Sequence, residues 1–353
     1  MAIWLIVAVA GGELFARALL TSPSIQRFDP AIGYVNGPGP TFQAREGFQR
    51  LQLNELGLNA PPAGPRSPGR RRVLFIGDSM TFAAQVPREA NFVSRVGRLL
   101  PALETVNAGR DALGPQDWPA LVARLEPALK PDLIVLMASR GDAFDLRDAK
   151  VTIAHDPAGR PTGLVRAPSG RDALQERLEP IMRRSALTTF LVRRANSELT
   201  ALRTGDSWTG WMMRGGAATI AARNSGAEKL DRPAIEAQLD EILRLVGRDR
   251  RIAIVALPAF RYEAHRKVDL EPRSQAEAGL FEAAARHAGV PFVDAGPAMA
   301  AAYARTGRPL TGFANSRLGE GHLNAWGHAV VADAIARGFQ AQGLGNASVG
   351  GSR

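Results

Sequence analysis

The 353-residue chain contains no cysteine, which excludes disulfides, zinc–thiolate sites and a cysteine nucleophile. Lysine is scarce: Lys130, Lys150, Lys229 and Lys267 are the only four among 44 basic residues. Five histidines carry all the imidazole chemistry available near neutral pH. Unbroken apolar runs of membrane-spanning length are absent too. The run from Ala2 to Gly12 falls short of the roughly 17–25 residues that a spanning helix needs. No Gly-x-x-x-x-Gly-Lys or Gly-x-Gly-x-x-Gly loop follows the first buried strand, which removes the usual support for nucleotide binding.

What is present is ordinary for a globular chain: 45% apolar and 22% charged residues. The net charge of +10 suits an anionic surface, but the arginines are scattered. The tightest run, Arg70–Arg72, stands just before an apolar strand and reads as a solvated strand entry. No nucleic-acid partner is expected. Residues 1–20 continue from the apolar run through Glu13 and Arg17 in a helical pattern, without a basic leader or a cleavage site. They read as a membrane anchor, with an amphipathic helix packed on the body as the alternative.

Residues 21–71 are broken by eight prolines and read as a preamble and linker. From Val73, buried-strand patterns alternate with helical ones. The strands are Val73–Ile76, Glu104–Asn107, Leu133–Met137, Ile252–Leu257 and Pro291–Val293. Helices are expected near Ala90–Leu100, Gln116–Leu129, Ile235–Val246, Ser274–Ala288 and Ala325–Gln342. This alternation predicts an α/β domain over residues 72–342, three-layered around a five-stranded parallel sheet of the flavodoxin-like kind. A mainly helical insertion occupies about 145–231. It includes a Trp208–Gly216 segment rich in Trp, Met and Gly, and a flexible tail follows from 343 to 353.

In such a sheet, ligands bind beyond the carboxyl ends of the strands. Gly77-Asp78-Ser79 follows the first strand, Ala108-Gly109-Arg110 the second and Ser139-Arg140-Gly141-Asp142 the third. Gly319-Glu320-Gly321-His322 precedes the last helix. A serine hydroxyl needs a base to take its proton as it attacks, and an imidazole of pKa about 6.5 suits that role. A carboxylate on the far ring nitrogen fixes the tautomer. Backbone N–H donors steady the oxyanion, and losing one costs about 3–4 kcal/mol in the barrier. Ser79, His322, glycine amides and carboxylates at one rim fit acyl transfer. Asp78 is expected to hold the turn. His328 is expected to pack within the last helix, and His155, His265 and His287 to be solvated.

Val73-Leu74-Phe75-Ile76-Gly77-Asp78-Ser79 resembles the opening block of the SGNH/GDSL hydrolase superfamily. Val106-Asn107-Ala108-Gly109 and His322-Leu323-Asn324-Ala325-Trp326-Gly327-His328 are similar to its second and last blocks. Gly33-Tyr34-Val35 and Asn54-Glu55-Leu56-Gly57-Leu58 resemble the preamble of membrane-anchored bacterial members. The resemblance implies Ser79 as nucleophile, His322 as base, and an oxyanion hole from the Ser79 and Gly109 amides. Two positions depart from the family pattern. Gly141 stands where an oxyanion Asn is usual, leaving only a backbone amide. Glu320 stands where the family's Asp precedes the histidine, and it is the expected third member.

The resemblance implies an esterase or deacylase acting on an acylated glycan or other small ester. An O-acyltransferase, or a catalytically degenerate carbohydrate-binding protein, are its alternatives. No cofactor and no metal are expected. The chain is expected at the membrane, facing the periplasm or cell exterior, or else in the cytoplasm.

Overall fold

The computed structural model describes residues 2–143, 146, 151–167, 170–204, 231–248, 250–263, 266–270 and 272–346. The Trp208–Gly216 segment, His265 and the end of the tail lie outside these residues. The chain opens with α1 (Ala2–Phe15), continued by a π-helical turn to Leu20. Two antiparallel hairpins follow: β1 (Gln26–Asp29) with β2 (Gly33–Asn36), and β3 (Gly39–Gln43) with β4 (Gln49–Leu53). Next come β5 (Arg71–Ile76), α2 (Ser79–Phe82), α3 (Phe92–Leu99), β6 (Leu103–Asn107), α4 (Trp118–Leu129) and β7 (Leu133–Ser139). The insertion begins with a hairpin of β8 (Val151–His155) and β9 (Pro161–Arg166), then α5 (Gly170–Met182) and α6 (Ala186–Thr204). The chain then forms α7 (Arg232–Gly247), β10 (Ile252–Leu257) and the short hairpin β11 (Phe260–Tyr262) and β12 (Val268–Leu270). It closes with α8 (Pro272–Ala288), β13 (Phe292–Asp294), α9 (Gly296–Thr306) and α10 (Ala325–Ala341).

All five expected strands form one parallel sheet in the order β13–β10–β7–β5–β6. Alternate strand residues feed two cores. Leu74, Ile76, Ile134, Leu136 and Ile254 meet side chains of α4, α7 and α8 on one face. Val73, Phe75, Val135, Met137 and Val255 meet α3, α9 and α10 on the other. That two-sided burial explains why these strands are unbroken apolar runs rather than alternating ones. The flavodoxin-like order reverses at β5, so the ends of β5, β6 and β7 flank a switch-point crevice.

Two expectations need correction. Arg71 and Arg72 are not a solvated entry but the first residues of β5, each 4% exposed. The Arg72 guanidinium is held by Glu104 at 2.7 Å and by the Leu129 and Gly64 carbonyls, so its charge is paired where three elements end. Nor are residues 21–71 a linker. Ile32, Val35, Leu58 and Ala60 join the core beside α4, and Leu51 and Leu53 pack on Phe82. Prolines broke the periodicity there without preventing four short strands.

Candidate active site

The turn after β5 is shaped by packing and by one carboxylate. A Cβ on Gly77 would lie 2.3 Å from the Thr81 hydroxyl and 2.7 Å from Met137 Cβ, so only glycine lets β5 pass β7 this closely. Asp78 then caps α2: its Oδ1 accepts the Met80 N–H at 2.9 Å. Its Oδ2 accepts the Ser139 hydroxyl at 2.5 Å, tying the ends of β5 and β7 together. Burial pushes the Asp78 pKa up, against these hydrogen bonds and the field of His322. Asp78 holds the turn, as expected, and places Ser79 at the first position of α2.

The loop after β6 is locked onto that helix. Asn107, 2% exposed, donates from Nδ2 to the Thr81 carbonyl at 2.6 Å and accepts the Gly109 N–H at 2.9 Å. A Cβ on Gly109 would fall 2.1 Å from the Phe82 amide nitrogen, so this approach also requires glycine. On the far side, Asn324 caps α10 through the Trp326 and Gly327 amides. Its Nδ2 donates to the Pro309 carbonyl at 3.0 Å. The Gly312 amide donates to the His322 carbonyl at 2.9 Å, fixing the loop that presents the imidazole.

Ser79 and His322, 243 positions apart, meet with Nε2 to Oγ at 2.9 Å. The other ring nitrogen, Nδ1, is bonded to the carboxylate of Glu46. Glu46 sits at the tip of the β3–β4 hairpin. There the Gly47 amide donates to Asn315 at 3.0 Å and Asn315 donates back to the Ala44 carbonyl at 2.9 Å. Gly47 has φ +74, and a Cβ there would strike the Gln85 carbonyl. Burial disfavours the His322 imidazolium, but the hydrogen bond and charge of Glu46, with Asp111 and Asp78 behind, outweigh it and raise the pKa. Burial likewise opposes the Glu46 carboxylate, and His322 outweighs it to lower that pKa. The two shifts describe one ion pair.

Three sequence expectations are corrected here. Glu320 does not reach the imidazole; it is exposed and pairs with Arg317 at 3.0 Å. Gly319 (φ +88) and Gly321 (φ +76), on either side of it, turn the backbone so that the side chain leaves the ring. The Gly109 amide is donated to Asn107, and the Gly141 amide to the buried carboxylate of Glu277 at 2.9 Å. Of the three amides proposed for an oxyanion hole, that of Ser79 has no partner among the described residues. Sequence reasoning missed Glu46 and Asn315; neither has a motif, and the one signal was Gly47 beside one of three acids in a region read as linker.

Ser79 and His322 open onto a cleft of about 810 Å³. Leu257, Phe260, Tyr262 and Leu318 give it apolar walls, and Arg140, Arg261 and Glu320 add charged groups of both signs to its lining. Among the described residues, no cluster of three or more His, Asp or Glu is arranged to hold a metal ion. His328 is packed inside, 1% exposed, as expected; His155 and His287 are exposed and pair with Glu241 and Asp240.

No family model and no curated protein matches the chain. Among solved structures it is similar to LAE5, an alpha/beta hydrolase enzyme from the metagenome of Lake Arreo, Spain. That likeness has 17% identity, covers 78% of this chain and 96% of that one, and has a TM-score of 0.43. It is also similar to a member of the lipolytic protein G-D-S-L family from Veillonella parvula (12% identity, 76% and 98% covered, TM-score 0.40). A third is a catalytic mutant of Axe2, an acetylxylan esterase from Geobacillus stearothermophilus (15% identity, 76% and 93% covered, TM-score 0.39). At these values the likenesses carry no functional weight, and the chemistry of the site rests on the geometry of Ser79, His322 and Glu46.

Proposed function

We propose that this chain is a serine-dependent hydrolase of ester bonds of the SGNH/GDSL type, with a Ser79–His322–Glu46 triad. The observation that carries the reading is the imidazole bridging a hydroxyl at 2.9 Å and a carboxylate on its opposite nitrogen. Ser79 Oγ attacks the ester carbonyl while Nε2 takes its proton. Glu46 keeps the remaining proton on Nδ1 and steadies the imidazolium. The tetrahedral oxyanion faces the amide that opens α2. Collapse breaks the C–O bond, His322 returns the proton to the departing alcohol, and water repeats the sequence on the acyl-enzyme.

The cleft exceeds what a short acyl group fills, and its arginines and apolar walls suit an acylated glycan. The helix over Ile3–Leu20, with mean hydropathy 1.8 and 6% buried, supports attachment to a membrane, with the body facing the periplasm or exterior. The test is p-nitrophenyl acetate hydrolysis and fluorophosphonate labelling of wild type beside Ser79→Ala. Loss of both in the variant is expected, and equal activity sinks the triad. A second reading, a carbohydrate-binding protein without catalysis, is favoured by the engagement of the Gly109 and Gly141 amides elsewhere. A folded wild type that hydrolyses nothing and resists the probe selects it.

A further inference from the structure

The apolar N-terminal helix is not joined to the catalytic body by a linker. One side of its second half is tied to the body, while Leu14 and Phe15 stay 69% and 56% exposed. The Glu13 carboxylate accepts the Ala186 and Leu187 amides at 2.9 Å each and the Ser185 hydroxyl at 2.8 Å, so it caps α6. Arg17 donates to the Arg184 carbonyl at 2.9 Å, and Arg50 to the Ala18 carbonyl at 2.9 Å. A Cβ on Gly12 would touch the Leu187 side chain at 3.2 Å. The α5–α6 corner therefore grips α1 at Gly12–Arg17. The corner is itself braced: the Met182 carbonyl accepts the Ser24 amide at 2.9 Å and the Thr189 hydroxyl at 2.8 Å.

Above that grip, Ile3, Trp4, Leu5 and Ile6 are between 67% and 77% exposed. The stretch Ala2–Gly12 rises roughly 16 Å, about half of a hydrocarbon core. Leu14, Phe15 and Leu19, alongside the grip, are also exposed, so an apolar helix fixed to the body there brings the bilayer to the body's own surface. What surrounds the exit is suited to it. Ile181 is 54% exposed, and Leu174, seven residues earlier on the same face of α5, is 55% exposed. Arg183 and Arg184 stand beside Ile181, both exposed, with Arg17 next to them in the π-helical turn after α1; Arg183 also pairs with Glu179 at 3.5 Å and Arg17 with Glu13 at 2.6 Å. Apolar side chains flanked by arginines match the boundary between acyl chains and anionic headgroups.

We propose that the α5–α6 corner is a membrane-docking surface: Ile181 enters the interface of an anionic bilayer beside α1, and Arg183 and Arg184 lie among its phosphates. The insertion then seats the catalytic body directly on lipid. This rests on the reading of α1 as a membrane helix.

The absence of cysteine makes the test direct. Full-length Ile6→Cys, Ile181→Cys, Arg184→Cys and Leu99→Cys are each labelled with bimane. They are reconstituted in vesicles of phosphatidylglycerol and phosphatidylcholine, with brominated phosphatidylcholine or iodide as quencher. Leu99, at the end of α3, is the water-exposed control. The expected result is brominated-lipid quenching at Ile6 and Ile181, loss of iodide quenching at Ile181 and Arg184, and full iodide quenching at Leu99. A lipid-quenched Ile6 with an iodide-quenched corner overturns the docking surface and leaves the membrane helix standing. Iodide quenching at Ile6 overturns both. An Ile181 shielded from both quenchers is covered by protein, which also overturns it.

Discussion

The carboxylate of Glu46 lies on Nδ1 of His322, 276 positions away, and the imidazole turns its other nitrogen to Ser79 at 2.9 Å. The carboxylate on the imidazole comes from a hairpin outside the parallel sheet. Its position is set by Asn315, which clamps the hairpin tip to the loop that carries the histidine. The imidazole and the carboxylate bonded to it are thus held by one another's loops.

Glu46→Gln removes the charge but keeps the shape. By analogy with carboxylate-to-amide changes in serine triads, kcat should fall about 10²–10⁴-fold, with KM little changed. Glu320→Gln removes only an exposed pair with Arg317 and should leave kcat within about twofold. Steady-state kinetics on p-nitrophenyl acetate compare them. A large loss in Glu320→Gln with none in Glu46→Gln would reverse the assignment.

The pH dependence follows from the same pair. His322 must be neutral to accept the serine proton, and its pKa is raised above 6.5. Activity should therefore fall with an acid limb above the ordinary histidine value. In Glu46→Gln burial acts without its counterweight, and the limb should move to lower pH. Stability carries the complementary signature. The raised imidazole pKa stabilises the fold below 6.5, and this is lost as pH rises through the raised value. The lowered Glu46 pKa stabilises above 4.5, and this is lost as pH falls through the lowered value. The stability difference between wild type and Glu46→Gln should peak in the window between. An acid limb unmoved by the substitution would contradict the ion pair.

Much of this arrangement was legible in the sequence, for identifiable reasons. Strands buried on both faces announce themselves as apolar runs, and Ser79 and His322 each follow or precede a regular element whose end defines the ligand rim. Glu46 was not legible because its place depends on contacts between loops distant in the chain. β1–β4 are short hairpins between prolines, with no run long enough to show a period. Gly296–Thr306 was missed as a helix because its Gly-Pro start reads as a turn, although Pro297 suits a first helical turn. Arg71 and Arg72 were misread because the partners that permit their burial, Glu104 and several carbonyls, lie on other elements.

Gly321 should be sensitive although it has no side chain to offer a substrate. Its φ is +76, and a Cβ there would lie 2.0 Å from Glu46 Oε1. Gly321→Ala must displace the carboxylate, since the far end of a side chain gives way more easily than backbone. We expect kcat to drop toward the level of Glu46→Gln, with about 1–2 kcal/mol lost in stability from the left-handed backbone. Adding Glu46→Gln to Gly321→Ala should then cost little more, because both changes break one contact. Full additivity in the double mutant would show that the glycine acts elsewhere.

His328 offers a test of the core behind the site. It is 1% exposed, stacks on Phe92 with ring centroids 5.6 Å apart, and accepts the Phe92 amide on Nδ1 at 3.2 Å. Burial, then the charges of Arg95 and His322, push its pKa down to about 3. The folded protein leaves it neutral where an unfolded chain, with a histidine near 6.5, takes up a proton. Its contribution is therefore full above 6.5 and is lost progressively as pH falls toward about 3. His328→Gln keeps a hydrogen-bond acceptor but cannot titrate. Subtracting its unfolding free energy from that of wild type across this range removes the carboxylates common to both. The difference should change by ~1.4 kcal/mol per pH unit, the signature of one proton. His328→Ala should be less stable by about 2–4 kcal/mol even at neutral pH, because it leaves a cavity beside Phe92 and an orphaned amide at the start of α3. A flat difference curve between wild type and His328→Gln would mean that the imidazole is protonated inside the fold, and that its burial is less complete than the packing around Phe92 requires.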